Sequence, residues 1–174
     1  LSDAMNFPLE LSEGRLVVRE MPTPLHQHVV SRLWLVIHNW AEGNHAGQAY
    51  FAPMPVRLWP LKFREPDVMF FKTENLNRVM EKYGGIPDLA VEVLSPRTSK
   101  DDYGEKMLEY AQAGIPEYWI VDPRKREVRV YALGQGDYQE AEVFKAGDRC
   151  RSRALPSLEF EVGEIFPAPD PQGL

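Results

Sequence analysis

The stretch Asp88-Leu89-Ala90-Val91-Glu92-Val93-Leu94-Ser95 constrains this chain more than any other, because it is apolar nearly throughout yet carries one carboxylate in its middle. A strand wetted on one face alternates apolar and polar residues, so an unbroken apolar run predicts a strand covered on both sides. After a loop over residues 96–100, the spacing predicts a helix over 101–113, stopped by Gly114 with Pro116 just beyond. A second apolar strand, Tyr118-Trp119-Ile120-Val121, follows at once. Strand, helix and strand with a crossover of this length form a βαβ unit, which makes a parallel pair inside a mixed sheet the expected centre of the fold.

The flanking segments fit around that unit. Residues 15–21, after the turn residue Gly14, are rich in β-branched side chains and read as a strand. Thr23 is placed to cap a helix on which Leu25, Val29, Leu33, Val36 and Trp40 form one apolar face, with Gly43-Asn44 as a left-handed stop. Short strands are expected around 49–52 and 56–59, held short by prolines 53, 55 and 60, and a buried strand over 66–71. Residues 73–85 read as a polar excursion with some helix. The segments 127–133, 138–144, 148–155 and 158–162 alternate and are separated by Gly or Pro turns, which predicts an antiparallel extension. The fold class is therefore α/β or α+β, a mixed sheet flanked by helices with antiparallel C-terminal strands. The last residues, 166–174, hold three prolines and are expected to run extended over the surface.

Composition excludes several function classes. A length of 174 residues fits one domain, 1–174, since domains commonly run to roughly 100–200 residues. A net charge of −6 disfavours a protein that coats nucleic acid, so a phosphate-bearing partner must meet a local patch. The single cysteine, Cys150, excludes an intramolecular disulfide framework and a cysteine zinc cluster. No apolar run approaches the roughly 18 residues of a membrane span, and the first residues lack the order of a signal peptide. A cytoplasmic protein with no membrane segment is the expectation.

Glu92 is the residue that packing alone explains worst, because a carboxylate in a buried strand costs several kcal/mol unless it is paired. Along its own strand it shares a face with Ala90 and Leu94, so its partner must come from elsewhere. Asp67, after Pro66 at the head of another apolar strand, can lie opposite it. Asp88 cannot share an ion with Glu92, because four residues of strand separate them by roughly 13 Å; it reads as a strand-entry turn. Lys106, on the following helix, flanks the apolar stripe of Tyr103, Met107, Tyr110 and Ala111 and can lean toward Glu92. Its bland alternative is an exposed pair with Asp102, four residues earlier. Two oxygen ligands from neighbouring strands, with positions left for water and phosphate, suit Mg2+, and a lysine beside them would orient the attacking water or stabilise the transition state. That arrangement points to phosphodiester hydrolysis.

Pro66-Asp67, the run Pro87 to Pro96 around Glu92, Asp102 with Lys106 and Tyr110, Gly114, and Glu117-Tyr118-Trp119-Ile120-Val121-Asp122-Pro123 together resemble the Uma-two family of the PD-(D/E)xK nuclease superfamily. The resemblance also takes in the segment from Glu10 to Leu16 and His26, so it covers most of the chain. It implies a single restriction-endonuclease-like domain, a metal-dependent endonuclease acting on DNA with Mg2+ or Mn2+, and a homodimer or higher homo-oligomer. Asp67 and Glu92 would be the metal-binding acids, and the backbone carbonyl of Val93 a further ligand. The superfamily's lysine usually stands two residues after the glutamate, where this chain has Leu94, so by resemblance that role passes to Lys106.

Other readings stay open on the sequence. A catalytically silent nucleic-acid-binding or scaffold protein would keep the fold and pair Glu92 with Lys106 permanently, and an enclosed pocket would favour a small phosphorylated substrate. His26 and Asp102 are weaker candidates for the site. Arg149, Arg151 and Arg153, on one face of an alternating strand, and the turn Arg124-Lys125-Arg126 can touch DNA backbone or serve as solvated edges.

Overall fold

The structure, a computed structural model, describes residues 9–12, 15–18, 21–95 and 99–168. It opens with strands β1 (Leu9–Ser12) and β2 (Arg15–Val18) and helix α1 (Pro24–Asn44). Strands β3 (Gly47–Phe51), β4 (Val56–Trp59), β5 (Lys62–Arg64) and β6 (Val68–Lys72) follow, then a 3-10 turn over Thr73–Arg78. The central unit is β7 (Leu89–Val93), the short helices α2 (Ser99–Tyr103) and α3 (Glu105–Ala113), and β8 (Glu117–Asp122). Strands β9 (Glu127–Ala132), β10 (Glu142–Lys145), β11 (Arg149–Arg151) and β12 (Glu159–Glu161) complete the order.

The core is a six-stranded sheet in the order β10-β9-β8-β7-β6-β3. Its one parallel pairing is β7 with β8, Leu89 opposite Glu117 through Val93 opposite Val121, as the βαβ spacing requires. The other pairings of this sheet are antiparallel. Every residue of β7 is buried, which is why its sequence shows no alternation. Leu89, Val91 and Val93 turn to the α1 side with Val68 and Phe70, while Ala90 turns to the other side with Met69, Tyr110 and Tyr118.

Several boundaries differ from the sequence reading, each for a local reason. Helix α1 starts at the expected cap, the Thr23 hydroxyl accepting from the His26 N–H at 3.2 Å, but its left-handed residue is His45, one past Gly43-Asn44. Its buried stripe is Val29, Val30, Leu33, Ile37 and Ala41, rotated from the expected face so that Leu25 lies exposed. The helix expected over 101–113 is broken at Gly104, where a Cβ would come within 2.7 Å of the Lys100 carbonyl oxygen. Strand β1, which the sequence reading lacked, pairs with β2 and β5, and with β4 they form a second sheet in the order β2-β1-β5-β4. Among the described residues, strands β11 and β12 pair only with each other and do not extend the central sheet. The proposed tail begins with a core residue: Phe166 is buried, with the Arg126 guanidinium over its ring, and residues 169–174 lie outside the described residues. No helix among the described residues is long and apolar enough to cross a membrane.

Candidate active site

The antiparallel register of β6 and β7 places Val68 opposite Val91 and Met69 opposite Ala90, so Asp67 and Glu92 come next, facing one another where the strand pair ends. Both carboxylates are withdrawn from solvent, 6% and 1% exposed. Asp67 Oδ2 accepts from the Val93 N–H at 2.8 Å and lies 3.1 Å from His26 Nε2 at the start of α1. Glu92 Oε1 accepts from the Tyr110 hydroxyl at 2.7 Å, and Glu92 Oε2 lies 3.0 Å from Lys106 Nζ. Lys106 also reaches Asp102 Oδ1 at 2.8 Å.

Asp102, Lys106 and Tyr110 recur every four residues, which keeps them on one stripe facing Glu92 even across the break at Gly104. The Asp102–Lys106 pair is thus not the exposed helix pair of the bland alternative, since both side chains are almost wholly buried. Tyr118 closes the floor, its hydroxyl donating to the Asp102 carbonyl at 3.0 Å. Burial first, then the nearby Glu92 and Asp102 charges, push this phenol well above its usual range, so it stays a donor.

Next to this stripe, the other side of α3 is clamped to the N-terminal sheet. Arg64 Nε donates to Glu109 Oε2 at 2.6 Å, Lys62 pairs with Glu109, and both cations reach Glu105. Burial alone would raise the Glu109 pKa, but hydrogen bonds from Arg64 and Lys62 outweigh it and hold the carboxyl below its ordinary 4.5. A lowered folded pKa contributes stability that is present above the unfolded value and lost as pH falls through the folded one. Urea midpoints taken from pH 6 down to pH 3 are therefore expected to fall more steeply for the native chain than for Glu109→Gln; parallel profiles would show that this clamp carries no pH-dependent stability.

The remaining candidates lie elsewhere. Asp88 accepts from the Lys72 N–H and from Asn75 Nδ2, each at 2.8 Å, closing the turn after β6. The exposed Arg149 pairs with Glu159, and Arg151 and Arg153 share Glu142 on a neighbouring strand. In the 124–126 turn, Asp122 Oδ1 accepts from the Arg124 and Lys125 N–H groups, and Arg126 donates to the Pro167 carbonyl. The sequence places Tyr110 only on the apolar packing stripe, whereas its hydroxyl reaches Glu92; its place four residues after Lys106 is the signal for that. Sequence reasoning missed Glu117, a fully buried carboxylate whose oxygens accept from Trp119 Nε1, the Ser152 hydroxyl and the Arg153 and Ala154 N–H groups, tying β8 to the loop after β11.

The two carboxylates at the Asp67–Glu92 corner offer oxygen ligands, while the nearby imidazole nitrogen, His26 Nε2, is turned to Asp67 Oδ2. The Val93 N–H faces Asp67, and an extended residue presents its N–H and C=O on the same side of the strand, so the Val93 carbonyl faces the same corner. Two carboxylates and a carbonyl are hard ligands that suit Mg2+ or Mn2+, and Mg2+ retains several waters instead of demanding a full protein cage. Among the described residues, no three His, Cys, Asp or Glu side chains gather into a larger metal-binding group.

Comparison with known proteins agrees with this architecture. The chain is similar in fold to a protein of Anabaena variabilis ATCC 29413 described as "a putative nuclease belonging to DUF820", with a TM-score of 0.76, 21% sequence identity, and coverage of 93% of this chain and 91% of that one. None of the curated proteins matches. Residues 3–163 match the sequence profile of Uma2, described as "Putative restriction endonuclease". A match that spans nearly the whole chain places it: the chain belongs to the Uma2 family.

Proposed function

We propose that this protein is a Mg2+- or Mn2+-dependent endonuclease that hydrolyses phosphodiester bonds in DNA, with Asp67, Glu92 and the Val93 carbonyl holding the ion and Lys106 acting at the attacking water. The observation that carries the reading is a pair of buried carboxylates that the β6–β7 register sets opposite one another, with a buried lysine 3.0 Å from Glu92. A structural role alone would seldom bury two acids, Glu92 and Asp102, around one ammonium, with a third buried acid, Asp67, opposite Glu92 in the strand register, because each buried charge costs several kcal/mol of desolvation.

When bound, the divalent ion supplies charge stabilisation at the scissile phosphate and a water of lowered pKa. The chain's own residues do the rest. Tyr110 holds Glu92 Oε1, so the carboxylate keeps a fixed orientation as Lys106 reaches its other oxygen. Asp102 shares Lys106 and helps hold its ammonium beside Glu92, where it can donate to the attacking water or to a non-bridging phosphate oxygen. Cutting both strands of a duplex takes two such sites, so the proposal includes a homodimer or higher homo-oligomer, working in the cytoplasm.

One observation favours a second reading. The Glu92–Lys106 pair is already closed, which is what a silent binding or scaffold protein of this fold would retain. Supercoiled plasmid and single-stranded DNA incubated with Mg2+ or Mn2+ separate the two. Nicked or shortened products that depend on the cation and disappear with chelator are expected, whereas intact DNA under every cation would favour the silent reading.

A further inference from the structure

We infer that His26 is a positioning residue for Asp67, fixing the carboxylate that holds the divalent ion while touching neither ion nor substrate itself. The inference rests on the function proposed above. Its starting point is the helix cap. Thr23 accepts the His26 N–H at 3.2 Å, which sets where α1 begins and so where the imidazole projects. In a capping box, a Glu or Gln at this third helical position turns back toward the cap. Here the side chain turns instead to the end of the central sheet, and His26 Nε2 stands 3.1 Å from Asp67 Oδ2.

An ionised carboxylate oxygen can only accept, so Nε2 carries the hydrogen in this contact. The same Oδ2 takes the Val93 N–H at 2.8 Å. One donor comes from the helix and one from the neighbouring strand, and together they hold the Asp67 carboxylate against rotation about its last torsion, which is intrinsically loose for aspartate. Two packed elements separated by more than forty residues of chain thereby set the direction of a single side chain. The His26 side chain is 12% exposed, so its geometry is itself fixed by packing. Partners that orient a ligating side chain are worth about 10–100-fold in metal affinity, a size of effect that titration resolves readily.

The test is a Mn2+ titration followed by the electron paramagnetic resonance signal of free Mn2+, on the native chain, His26→Ala, His26→Gln and the double variant Asp67→Ala/Glu92→Ala, with thermal midpoints recorded without metal. The Gln amide nitrogen reaches about as far as imidazole Nε2 and can donate. His26→Ala is expected to bind Mn2+ about 10–100-fold more weakly than the native chain, and His26→Gln to recover most of that loss, with the metal-free midpoints of the two variants alike. Native affinity in His26→Ala while the double variant fails to bind would overturn the positioning role and leave the proposed function standing. Equal weakness in His26→Gln and His26→Ala would also overturn it, since a donor at that point would then not suffice. Absence of Mn2+ binding by the native chain would overturn the proposed function and this inference with it.

Discussion

Glu92→Gln is expected to lower phosphodiester cleavage by about a thousandfold or more, because removing one ligand charge forfeits several kcal/mol of transition-state stabilisation and each 1.36 kcal/mol is tenfold in rate. The substitution keeps the shape of the side chain. Its carbonyl oxygen can still accept from the Tyr110 hydroxyl, and Lys106 retains Asp102 at 2.8 Å, so the ammonium is not left alone in the interior. The folded protein should therefore persist, with a circular dichroism spectrum like that of the native chain. Plasmid nicking measured against time, at matched protein and Mn2+ concentrations, reads the effect. Retention of native cleavage by a folded Glu92→Gln variant would remove this carboxylate from the chemistry.

Lys106→Met is expected to act on stability instead. Met matches the lysine stem in length and packs without a charge, but it leaves Glu92 and Asp102 buried with their shared cation gone. Breaking a buried ion pair from one side costs about 3–5 kcal/mol, because the remaining charge keeps its desolvation penalty. With two carboxylates involved, the loss should lie at the upper end, visible as a large drop in the urea midpoint at neutral pH. Adding Glu92→Gln to Lys106→Met should return part of it by removing one of the stranded charges. A midpoint unchanged in Lys106→Met would mean that the ammonium is not what compensates these acids.

Much of the fold was legible in the sequence, and the reason differs by element. Strand β7 and the parallel β8 declared themselves because full burial on both faces leaves an unbroken apolar run. The start of α1 was legible because Thr23 and Pro24 have local jobs at a helix N-terminus. The break at Gly104 was not, since a glycine within a helical pattern is usually tolerated, and only the approach of the Lys100 carbonyl shows why this one interrupts it. Nor was β1, whose partners include Lys62 in β5, a pairing set by the tertiary arrangement. At the site, Glu92 stood out because no neighbour on its strand could pair with it, and Asp67 followed from the need for a ligand on a different strand. His26 lies 41 residues before Asp67, so nothing local in the sequence fixed the 3.1 Å contact between them. Glu117 escaped for the same reason, since its donors come mainly from residues 152–154.

In the proposed site, Asp67 and Glu92 share one divalent ion. Isothermal titration of Mn2+ into the native chain and into the doubly substituted Asp67→Asn/Glu92→Gln chain measures that directly. The two substitutions keep side-chain size and one acceptor oxygen each while removing both charges. A saturable heat is expected for the native protein and should vanish in a folded double variant, and equal heats from the two proteins would contradict a shared ion.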